Sequence, residues 1–268
     1  MLIRLSALGD RFIRDALSDA QPKYTGCTPG TCETVLSRIT SWVREEATNI
    51  FWLAGTASTG KTSIAVTICH ILHDDSRVTL GGAFFCSRTT ESIARTDVRC
   101  ILPTLAASLA GQSPEFATAL ASELEKDPLA AHKHVNEQMI SLIFKPLSAL
   151  ALSAQPIVFL IDAVDEFSNR DEVAALLTVI ANFKSEANVK FILTSQPNIE
   201  ILGTPVSDPD HNTILQLHTL TEGEVTANTR RYISRSLEAA AADASWYTNE
   251  EFNAIMKLSH GQFLHLPS

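Results

Sequence analysis

No apolar run in the 268-residue sequence approaches the roughly 20 residues that a membrane-spanning helix needs. The opening MLIRLSALGDRFIRD meets charge too early to supply the apolar core of a secretory signal, so a soluble protein with no membrane partner is expected. Basic residues never cluster either. The 21 Lys and Arg are set against 30 Asp and Glu, a net charge of −9, which argues against a nonspecific nucleic-acid surface or an anionic-membrane surface. The five cysteines, Cys27, Cys32, Cys69, Cys86 and Cys100, are odd in number and scattered, without C-x-x-C spacing. Neither a disulfide framework nor a zinc site is suggested, and a reducing cytoplasm fits best. Internal repeats and low-complexity tracts are also lacking, apart from a short alanine-rich stretch near residue 240.

What is present is apolar residue enough for a large core, 45% of the chain, arranged in three regions. Residues 1–47 read as a helical lead-in of two amphipathic helices, LSALGDRFIRDAL and CETVLSRITSWVREE, joined by the Pro- and Gly-bearing PKYTGCTPGT. Val35, Leu36, Ile39, Trp42 and Val43 form one apolar face of the second. Residues 48–218 alternate short apolar runs with helical patterns. The runs IFWLA, GGAFFCS, PIVFLI, VKFILT and TILQL lack strict alternation, as suits strands of a parallel sheet covered on both faces. Ile64, Ile68, Ile71 and Leu72 mark a helix after the first run, and Val173, Leu176, Leu177 and Ile180 one after the third, with Ser168 or Asn169 as its N-cap. Pro103 and Pro146 are expected to bend or break the two helical stretches between the second and third runs. From residue 219 a third region starts with Thr221 and Glu224 in capping-box spacing and reads as helical, the start of a new layer. The fold class expected from this alternation is three-layer α/β with a parallel β-sheet.

The chemistry is carried first by Gly55-Thr56-Ala57-Ser58-Thr59-Gly60-Lys61-Thr62, a match to G-x-x-x-x-G-K-[ST]. The motif needs a strand before it and a helix after it, because successive backbone N–H groups and the helix N-terminus must converge on one phosphate. IFWLA precedes it and SIAVTICHIL, from Ser63, follows. Gly55 and Gly60 allow close backbone approach, Lys61 supplies charge to the β- and γ-phosphates, and Thr62 offers a hydroxyl to Mg2+. A nucleophile elbow is ruled out by spacing, since Ser58 is not centred in G-x-S-x-G.

A P-loop that hydrolyses requires an acidic residue at a neighbouring strand end, and PIVFLIDAVDEF supplies Asp162 as the Mg2+ partner. Asp165 and Glu166 lie just beyond it. One of them, Asp165 ahead of Glu166, is the candidate general base, with a solvated acidic turn as the alternative. Thr194 and Ser195 end the fourth run at the sheet edge where ligands sit in open α/β folds. They read as γ-phosphate sensors or as an ordinary turn before Pro197. The pairs His70/His73 and His132/His134 lack carboxylate or cysteine companions and are not read as metal ligands.

The ordered set WLAGTASTGKTSIA, GGAFFCSR, LPTLAASLA, VFLIDAVDEF and FILTSQPNIE resembles the NACHT branch of the STAND NTPases, particularly the fungal nephrocystin-like N-terminal NACHT domains, over about residues 25 to 218. GCTPGTCETVLSRITSWV resembles the segment such domains carry before the P-loop. The resemblance implies a three-layer α/β P-loop NTPase with a partial helical lid over residues 219–268, one that binds ATP, depends on Mg2+ and acts as a nucleotide-controlled signalling switch, self-associating through this domain. Asp162 would hold Mg2+ through water, Ala163 is the small residue after it, and Asp165 and Glu166 are the family's displaced acidic pair. No N-K-x-D guanine signature follows the strands, so ATP is preferred to GTP. The sequence departs from the family at Thr194-Ser195-Gln196-Pro197, where the usual reading is T-S-R-P. Gln196 brings no charge to a transition state, which leaves a non-hydrolysing scaffold or decayed copy as the alternative; a P-loop small-molecule kinase is weaker still. Arg88 reads as a structural ion pair or a substitute for the missing arginine. Relatives continue into a lid and a repeat array, so the chain reads as a fragment or a truncated product.

Overall fold

The computed structural model describes residues 5–13, 25–44, 48–87, 93–150, 155–182, 188–197, 200–201, 204–205, 215–240 and 248–259. Its centre is a five-stranded, wholly parallel sheet. In chain order the strands are β1 (Ile50–Ala54), β2 (Thr79–Phe85), β3 (Ile157–Asp162), β4 (Val189–Ser195) and β7 (Leu215–Thr219). In space they run β2-β3-β4-β1-β7. A separate two-stranded antiparallel pair joins β5 (Glu200–Ile201) to β6 (Thr204–Pro205).

Every residue of β1 and β4 is buried, which is why these segments read as unbroken apolar runs. Successive side chains point to opposite faces and enter two different cores. Ile50, Trp52, Phe84, Phe159, Ile161, Phe191 and Leu193 join one core; Phe51, Leu53, Phe85, Val158, Leu160 and Ile192 join the other. The second is capped by α1 (Glu33–Arg44) and α2 (Lys61–Asp74), the first by α3 (Ile101–Gln112), α4 (Pro114–Lys126), α5 (Val135–Gln138), α6 (Lys145–Ser148) and α7 (Arg170–Ala181). The result is the three-layer arrangement that the sequence predicts. Lys190 shows how complete the burial is: fully buried on β4, its Nζ donates to Thr48 O at 3.1 Å and lies 4.8 Å from the Trp42 ring centroid.

Local signals translate as expected at most helix ends. Asn169, not Ser168, caps α7, its Oδ1 accepting from the Asp171 and Glu172 amides. Thr221 and Glu224 form a reciprocal capping box at the start of α8 (Glu222–Ala240), and Thr248 and Glu251 repeat it at α9 (Asn249–Ser259). Val35, Ile39, Trp42 and Val43 are the buried face of α1.

Four expectations need correction. The stretch LSALGDRFIRDAL is not an α-helix where it is described: Leu5–Arg11 is 3-10, interrupted by Gly9 at φ 55°, ψ −134°, and residues 14–24 lie outside the described residues. Ile71 does not join its helix's buried face; it is exposed, while Ile64, Ile68 and Leu72 are buried. Pro103 does not break α3, because it falls in the first turn, where no intrahelical bond needs its missing N–H. Pro146 leaves its helix continuous but alters its winding. It stands just after a π-helical stretch, Met139–Phe144, that joins α5 to α6, an irregularity that accommodates its ring and missing donor.

Candidate functional site

Chain order and space order part company at the sheet's centre. After β1 the chain crosses to the far edge at β2, returns through β3 and β4 to β1's side, then passes over to β7. The crossover leaves a crevice at the carboxyl ends of the central strands. β4 lies between β1 and β3, so the P-loop, Thr194-Ser195 and Asp162 end neighbouring strands and meet there.

The loop from Gly55 to Gly60 carries β1 into α2. Gly55 N donates to Ser195 O at 3.1 Å, fastening the loop to β4. A Cβ on Gly55 would stand 2.7 Å from Thr59 Oγ1 and 3.3 Å from Leu220 Cδ1, so the close approach requires glycine there. Gly60 caps α2 at φ 89°, ψ 12°, and Ser58 also has a left-handed φ of 60°. Thr56, Ala57 and Ser58 are exposed at the loop's tip, whereas Thr59 is buried and its hydroxyl donates to Thr56 O at 2.9 Å. Lys61 Nζ folds over the loop, donating to Gly55 O and Thr56 O, each at 2.7 Å. Burial pulls its pKa below the ordinary lysine range, opposed by the charges of Asp165, Asp162 and Glu166.

One residue later on α2, Thr62 Oγ1 donates to Asp162 Oδ2 at 2.8 Å. The other carboxylate oxygen, Oδ1, accepts from Thr194 Oγ1 at 2.6 Å, and that hydroxyl in turn accepts from Ala163 N at 2.9 Å. Ala163 has φ 57°, ψ 51°, a left-handed conformation that strains a residue with a Cβ and turns the chain sharply at the strand end. Asp162 is only 2% exposed. Burial pushes its carboxyl above the ordinary range, against the hydrogen bonds from Thr194 and Thr62 and the charge of Lys61.

Beyond Ala163, Val164–Glu166 forms a 3-10 turn that presents Asp165 and Glu166, both partly exposed, beside the same lysine. Asp165 Oδ1 accepts from the Gln196 amide at 3.1 Å, which ties the acidic turn to the end of β4. Ser195 Oγ donates to Gln196 O at 2.6 Å and accepts from Trp52 Nε1 at 2.9 Å. Thus the sequence-predicted residues converge, and Thr194 and Ser195 brace the site from behind with their hydroxyls. Trp52 and Leu220 are participants that the sequence reading missed, since nothing local to either signals a contact with the loop. Gln196 is exposed, and Arg88 lies outside the described residues.

The residues fit a hard divalent cation. Mg2+ keeps several waters and typically takes one or two protein oxygens besides phosphate. Thr62 Oγ1 and Asp162 Oδ2 lie side by side, 2.8 Å apart, and a carboxylate whose burial is only partly compensated favours a nearby cation. No group of three or more His, Cys, Asp or Glu side chains that could hold a metal ion occurs among the described residues; His132 pairs with Asp10 at 3.2 Å. Among the same residues, no helix is long and apolar enough to cross a membrane.

Comparison with solved structures finds distant similarities. Caenorhabditis elegans PCH-2 is 15% identical over 97% of this chain and 63% of its own, with a TM-score of 0.35. Domain III of the Thermotoga maritima replication initiation protein DnaA is 12% identical over 92% and 82%, TM-score 0.43. The Drosophila ORC bound to DNA is 15% identical over 96% and 60%, TM-score 0.40. The chain thus spans less than two thirds of the first and third of these. No curated protein matches it. The model of the nephrocystin 3 N-terminal family matches residues 30–196, from the turn before α1 through the P-loop and Asp162 to Gln196. That is more than half of the sequence, and the chain belongs to this family.

Proposed function

We propose that this chain binds ATP with Mg2+ and hydrolyses it as a nucleotide-controlled signalling switch of the NACHT type. The observation that carries the reading is the convergence of Lys61, Thr62, Asp162 and Asp165 on a glycine-shaped strand-to-helix loop. The loop's backbone N–H groups and the N-terminus of α2 would cradle the phosphates. Lys61 would exchange its carbonyl partners for β- and γ-phosphate oxygens. Bound Mg2+, held through Thr62 and Asp162, would neutralise charge on those oxygens. Asp165, or Glu166 beside it, would accept the proton of the water whose oxygen attacks the γ-phosphorus as the bond to the bridging oxygen breaks.

A route from nucleotide to lid supports the switch. Leu220 N donates to Ala54 O at 2.9 Å, its side chain borders Gly55, and Val225 of α8 packs in the same core as α2. A shift of the loop is therefore felt at the root of α8. Self-association through this domain, in the cytoplasm, completes the reading. Its test is Lys61→Ala in the purified chain: ATP affinity should fall at least tenfold while the fold persists, and unchanged affinity would remove the site assignment.

Gln196 favours a second reading, a nucleotide-binding scaffold without turnover. It occupies the place of the family's arginine and contacts Asp165 through its backbone, with no charge to offer the transferring phosphoryl group. Single-turnover measurement of phosphate release separates the two. Release that disappears in Asp165→Ala supports the switch; no release from the native chain supports the scaffold.

A further inference from the structure

Cys27 and Cys32 flank the tetrapeptide Thr28-Pro29-Gly30-Thr31. Thr31 N donates to Thr28 O at 2.9 Å, and Thr31 Oγ1 donates to the same oxygen at 2.6 Å. Pro29 in the second position and Gly30, with φ 81°, in the third are the residues that a type II turn takes. The turn doubles the chain back, so that Cys27 and Cys32 flank it as neighbours and each thiol acts on the ionisation of the other. Cys32 itself is held at φ 59°, a left-handed conformation that a side chain disfavours and that marks a locally constrained site.

The rest of the environment separates the roles of the two sulfurs. Cys27 is partly exposed and Cys32 is buried. The Cys32 thiol and then the Thr67 hydroxyl favour the Cys27 thiolate against the effect of burial, while Cys27 and burial keep the Cys32 thiol protonated. Thiolate character plus access is what makes a cysteine reactive. Cys69, Cys86 and Cys100 are each no more than 3% exposed.

We propose that Cys27 and Cys32 form a redox-active pair that closes to an intramolecular disulfide across the Thr28–Thr31 turn, with hydrogen peroxide as oxidant. The Cys27 thiolate attacks one peroxide oxygen, the O–O bond breaks, and the departing oxygen leaves as water after taking up a proton, which yields a sulfenic acid. Cys32 sulfur then attacks the Cys27 sulfur; the S–S bond forms, the S–O bond breaks, and the hydroxide leaves as water with the Cys32 proton. Two thiols lose two electrons and one hydrogen peroxide becomes two waters.

The turn is also a clasp. Cys27 N donates to Thr67 Oγ1 on α2 at 2.7 Å, Cys32 N donates to Asn228 Oδ1 on α8 at 2.9 Å, and Arg231 of α8 donates to Gly30 O. Oxidation therefore acts where the helix after the P-loop and the first lid helix are joined. It does not depend on nucleotide binding.

The test is thiol titration of the reduced full chain in denaturant after brief exposure to hydrogen peroxide, with peptide mapping by mass spectrometry. The five thiols should fall to three, with a Cys27–Cys32 linked peptide about 2 Da lighter than its reduced form, and dithiothreitol should restore five. In Cys32→Ser, whose fold is checked by circular dichroism, Cys27 should accumulate as the sulfenic acid, trapped by dimedone. Five surviving thiols, a linkage between two chains, or Cys27 oxidation without the linked peptide would overturn the proposal.

Discussion

Replacing Thr194 by Val isolates the brace behind the phosphate loop. Val has nearly the same shape, so no cavity opens, yet the hydroxyl that donates to Asp162 Oδ1 and accepts from Ala163 N is gone. Thr194 and Asp162 are 1% and 2% exposed, so water cannot readily replace the bond between them, whereas the Ala163 bond is only partly buried. Leaving the buried Asp162 oxygen short of a donor costs about 1–3 kcal/mol and losing the part-buried Ala163 bond about 0.5–1.5 kcal/mol, together about 2–4 kcal/mol. For a chain of this size that corresponds to a fall in Tm of about 5–15 °C. Thr194→Ser is the control, because it keeps the hydroxyl and removes one buried methyl at about 1 kcal/mol. Urea unfolding of the two variants beside the native chain is the assay. The reasoning fails if Thr194→Val is no less stable than Thr194→Ser.

Further outcomes follow from the same geometry. His218 is buried beside Arg38 and stacked on Phe51, and burial lowers its pKa from 6.5, with Arg38 adding to the effect and Glu224 opposing it. Its folded-state pKa is depressed, so its contribution to stability is present above pH 6.5 and is lost as pH falls through the folded value; His218→Phe should flatten that part of a stability profile between pH 7 and 5. Gly55→Ala forces Thr59 Oγ1 and Leu220 aside and should cost about 1–3 kcal/mol by urea unfolding, with weaker ATP binding by calorimetry. Ala163→Gly relieves the left-handed strain and should offset about 1 kcal/mol or less against the added freedom of glycine in the unfolded chain; a loss above 2 kcal/mol would refute this account of the turn. Gln196→Arg should raise the single-turnover rate of phosphate release at least about tenfold if the missing charge limits turnover.

Strands β1 to β4 were legible because nearly every residue of each is buried, so that each reads as a short apolar run without alternation, and the P-loop because its backbone geometry demands glycine at fixed places. Capping residues were legible for a related reason: Asn169, Thr221 and Glu224 satisfy amides only two or three residues away. Where a local rule misled, a geometrical detail had overridden it. Pro103 lies early enough in α3 to cost no hydrogen bond, and Pro146 is absorbed by a π-helical stretch. Gly9 breaks the expected first helix.

Contacts between distant residues had no local signal. Asp162 accepts from residues 100 and 32 positions away, and Trp52 reaches Ser195 across 143. Sequence by itself determined the four central strands, most of the helices that cover them, where the glycine loop lies, and which carboxylate ends the third strand, because periodicity, capping and glycine geometry are local properties. The tertiary structure alone decided that β4 sits between β1 and β3, that Thr194 fixes Asp162 from behind, and that the Cys27–Cys32 turn joins α2 to α8. Those facts depend on which strands and helices pack together, and that is settled by burial of the whole chain rather than by any one stretch of it.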